Sequence, residues 1–243
     1  MLADDLRGML AIAWKDLRAY YLKPPNISWG ILFPFAFVLA FIIRNSGDVR
    51  SLAPGLIALT LLFSTSSMEA IVITFERRIG SLERLLLAPV RLPAILAGKL
   101  LGGMVFGLGI TIIVSAAALG YYGIGRMNWS LFITALLLSA LTCSALGSFV
   151  AAAVREVFEA QTLANFIRFP MMFLGGVFVP VDQLPFWLQV IARCLPLTYC
   201  IEAIRTAMDG GLWKDAWLDL GMLVIFSSIL FVSGVWILSK RTS

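Results

Sequence analysis

Few side chains in this sequence can do chemistry, and their types exclude more than they permit. The 243 residues contain no histidine, so no Ser-His relay, H-E-x-x-H zinc site or imidazole proton switch can be built. Cys143, Cys194 and Cys200 lack C-x-x-C spacing and Cys143 sits in an apolar run, so neither a metal cage nor a disulfide framework is indicated. Cys194 and Cys200 read instead as small apolar residues. No Asp lies deep in an apolar stretch and no nucleophile-base pair can be assembled, so catalytic residues, metal ligands and bound cofactors are expected to be absent. What remains is a charged run from Glu76 to Lys99 and three polar groups stranded in apolar sequence, Glu69, Asn165 and Arg168.

The elements holding these groups must be membrane helices. The chain is 60% hydrophobic and 14% charged, with a mean hydropathy of +0.93, whereas soluble domains are about 25% charged. Lipid is therefore the natural solvent. Six spans are expected, over Ile27–Ile43, Leu52–Phe75, Leu100–Tyr121, Trp129–Val154, Thr162–Val179 and Trp217–Leu238. Residues 4–22 alternate between two faces, with Lys15, Asp16 and Arg18 interrupting any signal-peptide core, and read as an amphipathic helix in the interface ended by Pro24 and Pro25. Residues 183–205 are apolar but broken by Pro185 and Pro196 and carry Arg193, Glu202 and Arg205, which suits re-entrant helices on the outer side better than a crossing.

With that arrangement, every Lys and Arg except Arg44, Arg50, Arg126, Arg193, Arg205 and Lys214 falls on the side of the termini, which places both termini in the cytoplasm. The net charge of +5 marks these flanks rather than a nucleic-acid surface. No linker or internal repeat divides the chain, so residues 1–243 form one all-α membrane domain. Gly98 with Gly102, Gly103 with Gly107 and Ala116 with Gly120 give the third span small residues for close packing.

Residues 76–99, ERRIGSLERLLLAPVRLPAILAGK, are longer than a connector needs to be. Ser81 is placed to cap a short helix in which Glu83 and Arg84 oppose Leu82, Leu85 and Leu86, and Pro89 follows it. Periodicity fits an element presenting charge to a cytoplasmic surface and an interfacial anchor with snorkelling arginines equally well. Glu156 and Glu159, in the second cytoplasmic loop, are read as hydrated or as partner contacts.

The run from Glu76 to Pro89, followed by Gly98-Lys99, resembles the first cytoplasmic loop of type-2 ABC transporter permeases, with Ile79 and Ser81 as mild departures. Phe173 to Arg205 resembles the same family's segment from the fifth span through paired re-entrant helices, on Gly175 or Gly176, Phe178, Pro180, Leu184-Pro185, Trp187-Leu188, Pro196-Leu197-Thr198-Tyr199, Glu202-Ala203 and Arg205. The likeness covers essentially the whole chain and is nearest the drug-exporter, daunorubicin-resistance-like branch.

This resemblance implies a transporter without its own engine, and no G-x-x-x-x-G-K-[ST] occurs. ATP and Mg would be bound by two copies of a cytoplasmic ABC ATPase, beneath this chain and a second permease copy, a homodimer or a heterodimer. The implied role is export of an amphipathic or lipid-like substrate, as in multidrug efflux and antibiotic resistance, from a prokaryotic inner membrane. Glu76, Arg77, Arg78, Gly80, Ser81, Glu83, Arg84 and Pro89 are assigned to ATPase coupling by the same resemblance. The path between copies is expected to use Glu69, Asn165, Phe166, Arg168, Phe169, Met172 and Phe173, with Glu69 either pairing with Arg168 or lining an inner vestibule. Phe178, Pro180, Leu184, Pro185, Trp187, Leu188 and Pro196 are expected at an outer gate. The rival reading, an ion-coupled secondary transporter, lacks repeated halves and multiple mid-membrane titratable groups.

Overall fold

The computed structural model describes residues 2–23, 32, 36, 52–122 and 127–242, all helix and connection without a strand among them. The expected first span, Ile27–Ile43, lies outside the described residues. Helix α1 (Leu2–Asp16) closes in a wide π turn, Leu17–Tyr21. Ile12, Ala13 and Asp16 face the bundle, while Leu6, Leu10 and Trp14 form an exposed apolar stripe, the two-sided pattern of an interfacial helix. The π turn adds one residue per turn, so Tyr21 rather than Tyr20 follows Asp16 on the inward face. Tyr21 is buried there and stacks on Phe106 at 5.5 Å.

The long helices are α2 (Ala53–Arg78), α4 (Leu92–Tyr122), α5 (Trp129–Ala153) and α9 (Trp213–Thr242), joined by the short α3 (Ser81–Leu86), α6 (Val157–Leu174), α7 (Phe186–Arg193) and α8 (Pro196–Met208). Of the described helices, α2, α4, α5 and α9 are long and apolar enough to cross a membrane, and the pair α7 and α8, bent by 91°, would make a fifth if taken as one span. The expected span Thr162–Val179 appears as α6, which carries Glu159, Asn165 and Arg168 and stops at Leu174, because Gly176 follows with φ +90. Glu156 and Glu159 are exposed, as a hydrated reading requires, and in addition form the capping box of α6, Glu159 accepting from the Arg155 and Glu156 amides at 3.1 and 3.4 Å.

Lipid offers no hydrophobic gain for bringing helices together, so close backbone approach must hold them. The small-residue rows on α4 supply it. A Cβ on Gly98 would stand 2.7 Å from the Met9 carbonyl of α1, and one on Gly103 2.6 Å from the Glu69 carboxylate of α2. The α2 face that meets Gly107 carries Ser64 and Thr65, which satisfy themselves on the Thr60 and Leu61 carbonyls one turn back at 2.5 and 2.7 Å. The core, with Ile57, Leu61, Leu136, Met171, Leu197 and Ile201, is shared by α2, α5, α6, α8 and α9.

Asn128 caps α5, accepting from the Leu131 amide at 3.3 Å and donating to the Gly211 carbonyl at 3.0 Å. Asn128→Ala is expected to cost about 1 to 2 kcal/mol, measurable as a lower thermal midpoint.

Candidate functional site

Near the ends of α2 and α4 a charge cluster joins three helices. Lys15 and Asp16 come from α1, Glu76 from α2 and Lys99 from α4. Lys15 Nζ lies 2.8 Å from Asp16 Oδ1 and 2.5 Å from Glu76 Oε1; Lys99 Nζ lies 3.0 Å from Asp16 Oδ2 and also donates to Glu76 Oε2. Asp16 and Glu76 are fully buried and Lys99 is 1% exposed, so three of the four charges are neutralised out of water and Lys15 closes the cluster at its edge. Burial pulls the Lys15 ammonium down, but Asp16 and Glu76 outweigh it and hold the group above the ordinary lysine value. Beside this cluster, Tyr21 donates to Glu69 Oε2 at 2.8 Å and Ser148 to Oε1 at 3.1 Å.

This geometry corrects two expectations. Glu76 is an internal anchor rather than a partner contact. Glu69 neither pairs with Arg168 nor faces a vestibule: Gly103 and Gly147 admit its side chain between α2, α4 and α5, and the carboxylate is fully buried there.

The charged loop is folded onto the same body. Gly80 turns the chain at φ +68 between α2 and α3, a left-handed conformation that favours glycine. Gly80, not Ser81, is the residue preceding α3, and no side chain caps the helix, so the expected Ser81 cap is not formed. Leu82 is buried against Ile12, Ile95 and Leu96, and Arg91 meets Asp5 of α1. Arg77 turns inward and donates to the Val154 and Ala151 carbonyls at 2.8 and 3.1 Å, serving the open end of α5. The assigned residues left exposed are Arg78, Glu83, Arg84 and Pro89, and beside them Leu87 is 87% exposed.

On α6 the expected path residues separate. Phe166, Phe169 and Phe173 form an exposed ridge, whereas Met172 is in the core. Arg168 is 1% exposed; it donates to the Ala164 carbonyl at 3.0 Å, to Asn165 Oδ1 at 2.9 Å and to Ser67 Oγ, with its guanidinium 4.9 Å from the Phe63 ring centre.

Beyond α6, Phe178 lies 5.7 Å from Phe173, and Pro180 precedes a single 3-10 turn, Val181–Gln183. Gln189 donates to the Leu184 carbonyl at 2.8 Å, and Thr198 and Tyr199 donate to the Ala192 and Arg193 carbonyls that end α7. Pro185 and Trp187 are exposed, Leu184, Leu188 and Pro196 half-buried, and the expected gate residues are spread over the connection 178–185, α7 and the start of α8.

Residues 7–208 match the family model described as ABC-2 type transporter. The chain belongs to the ABC-2 type transporter family. Nodulation protein J of Rhizobium leguminosarum bv. trifolii is 32% identical over 243 residues, covering 95% of this chain and 90% of that protein. The inner membrane transport permease YadH of Escherichia coli K12 is 27% identical over 193 residues, covering 79% of this chain and 75% of that protein. The ABC transporter G family member 20 of Dictyostelium discoideum is 28% identical over 199 residues, covering 80% of this chain but 27% of that protein. This ABC-2 chain is thus a transport permease subunit and a multi-pass membrane protein.

Reading the permease sequence alone misses Asp16, Lys99 and Tyr21 as members of its buried polar cluster. The available signal was the Lys15-Asp16 pair, which falls at the end of an otherwise amphipathic helix, and Lys99, which opens an apolar run. Partners 83 residues apart cannot be paired from spacing.

Proposed function

We propose that this permease exports an amphipathic or lipid-like substrate, drug-like molecules included, from the cytoplasm of a prokaryotic cell. ATP and Mg bound by two separate ABC ATPase subunits drive it, and a second permease copy completes the path. One observation carries this reading: the elbow from Gly80 to Leu87 is tied through Leu82, Arg77 and Arg91 to α1, α4 and α5, while Arg78, Glu83, Arg84 and Leu87 stay exposed. A push on that face is delivered to the helices without being absorbed in the loop. In this reading both termini are cytoplasmic, Ile27–Ile43 and α6 bring the spans to six, and α7 and α8 form the re-entrant outer gate. The exposed Phe166, Phe169 and Phe173 ridge faces the path between copies, where adaptable aromatic surface suits varied apolar cargo.

The test is ATP hydrolysis by the cognate ATPase with the permease in lipid, stimulated by candidate amphiphiles. Glu83→Ala combined with Arg84→Ala is expected to remove most of the stimulation while insertion and thermal midpoint stay unchanged. Full stimulation in that double variant would refute the coupling role, and uphill transport by the permease alone on an ion gradient would refute the ATP-driven reading.

A further inference from the structure

The guanidinium of Arg168 is buried without a counter-charge. Its described partners, the Ala164 carbonyl, Ser67, Asn165 and the Phe63 ring, are all neutral, and among the described residues no carboxylate lies within ion-pair distance. Glu69, two positions from Ser67 on α2, points to the opposite side and is occupied by Tyr21 and Ser148. Arg168 follows the start of α6 at Val157 by eleven residues, about 16 Å along the helix axis, well inside the helix rather than at its polar first turn. A cation buried without a counter-charge is expensive and marks a functional contact whose partner must be found. A neutral Gln could bridge α6 to Ser67; the positive charge is the feature that nothing described answers. The seam is reachable, since Ser67 and Asn165 are only half-buried and Phe166 and Phe169 beside them are exposed.

We infer that Arg168 receives the anionic group, a phosphate or carboxylate, of the transported amphiphile, while the chain of that amphiphile lies along the phenylalanine ridge. The inference rests on the export reading and narrows its cargo to anionic amphiphiles. Before cargo arrives, Ser67 and Asn165 hold the guanidinium at the seam; an arriving anion replaces these neutral acceptors with a charged one, the stronger bond.

The test is equilibrium binding of hexadecyl phosphate and of hexadecyl phosphocholine, alike in chain length but not in net charge, to the full chain in phosphatidylcholine nanodiscs, with empty discs giving the background. The wild type is expected to favour the phosphate by about tenfold or more. Arg168→Lys should keep the preference within about threefold of wild type, and Arg168→Gln should abolish it. Ser67→Asp guards against misfolding: its new carboxylate pairs with Arg168 internally, so the preference should vanish while the thermal midpoint is held or raised. Retained preference in Arg168→Gln or Ser67→Asp overturns the inference. So does loss of binding when the discs contain phosphatidylglycerol, because a resident lipid would then own the site. No ATPase is present, so failure here leaves ATP-driven export of neutral cargo standing, and failure of the loop test leaves this binding result in place.

Discussion

Lys99→Met is expected to lower the stability of the permease by about 3 to 5 kcal/mol, the cost of removing one partner from a buried ion pair. The ammonium is 1% exposed and bridges Asp16 and Glu76, both fully buried. Its loss leaves two carboxylates to Lys15, whose side chain is 38% exposed. Removing Glu76 as well restores neutrality, because the Lys15–Asp16 pair at 2.8 Å survives. The double variant Lys99→Met with Glu76→Met should therefore be more stable than the single one, since well-packed apolar replacements of both partners are close to neutral. Thermal unfolding in nanodiscs, followed by tryptophan fluorescence, reads both effects. Additive losses would mean that the charges are independent and that α1 is held by apolar contacts alone.

The second large effect is expected at Gly147. A Cβ there would stand 2.6 Å from the Ser66 carbonyl oxygen, 2.9 Å from Ser66 Cα and 2.7 Å from Glu69 Cβ. Two of these atoms are backbone, so α2 and α5 would have to separate, which also moves Glu69 away from Ser148. Gly147→Leu should cost about 3 kcal/mol or more, recorded as loss of folded protein after extraction. Gly109 and Gly221 meet nothing within 4 Å, so Leu at either should change stability by no more than about 1 kcal/mol. Equal effects at the three positions would show that glycine content, not close approach, is what matters.

The elements were legible where one helix settles its own pattern. The α1 stripe, the uninterrupted apolar runs of α5 and α9 and the prolines that break α7 from α8 all follow from local spacing. The glycine rows of α4 were legible as a packing face, although not which helices they would meet. What could not be read depends on which helices become neighbours. Glu76 stands in a run of charges identical in character to Arg78 and Glu83, and only the arrival of Lys99 and α1 takes it out of solvent. In the same way Arg168 suggested an acid partner in Glu69, but Arg168 of α6 meets α2 at Ser67 while Glu69 turns to Tyr21 and Ser148 on the other side. The side-chain periodicity of a helix assigns faces; the partner across each face comes from tertiary packing.

The same four charges impose an order on biosynthesis. Asp16 is made 83 residues before Lys99, and Glu76 is made between them, so the first helix cannot lock when it leaves the ribosome. Until the third partner emerges, its acid has only the adjacent Lys15 and water, while Leu6, Leu10 and Trp14 hold the helix at the bilayer surface. Completion of the lock therefore waits for Lys99, because until then Asp16 and Glu76 have Lys15 alone to share.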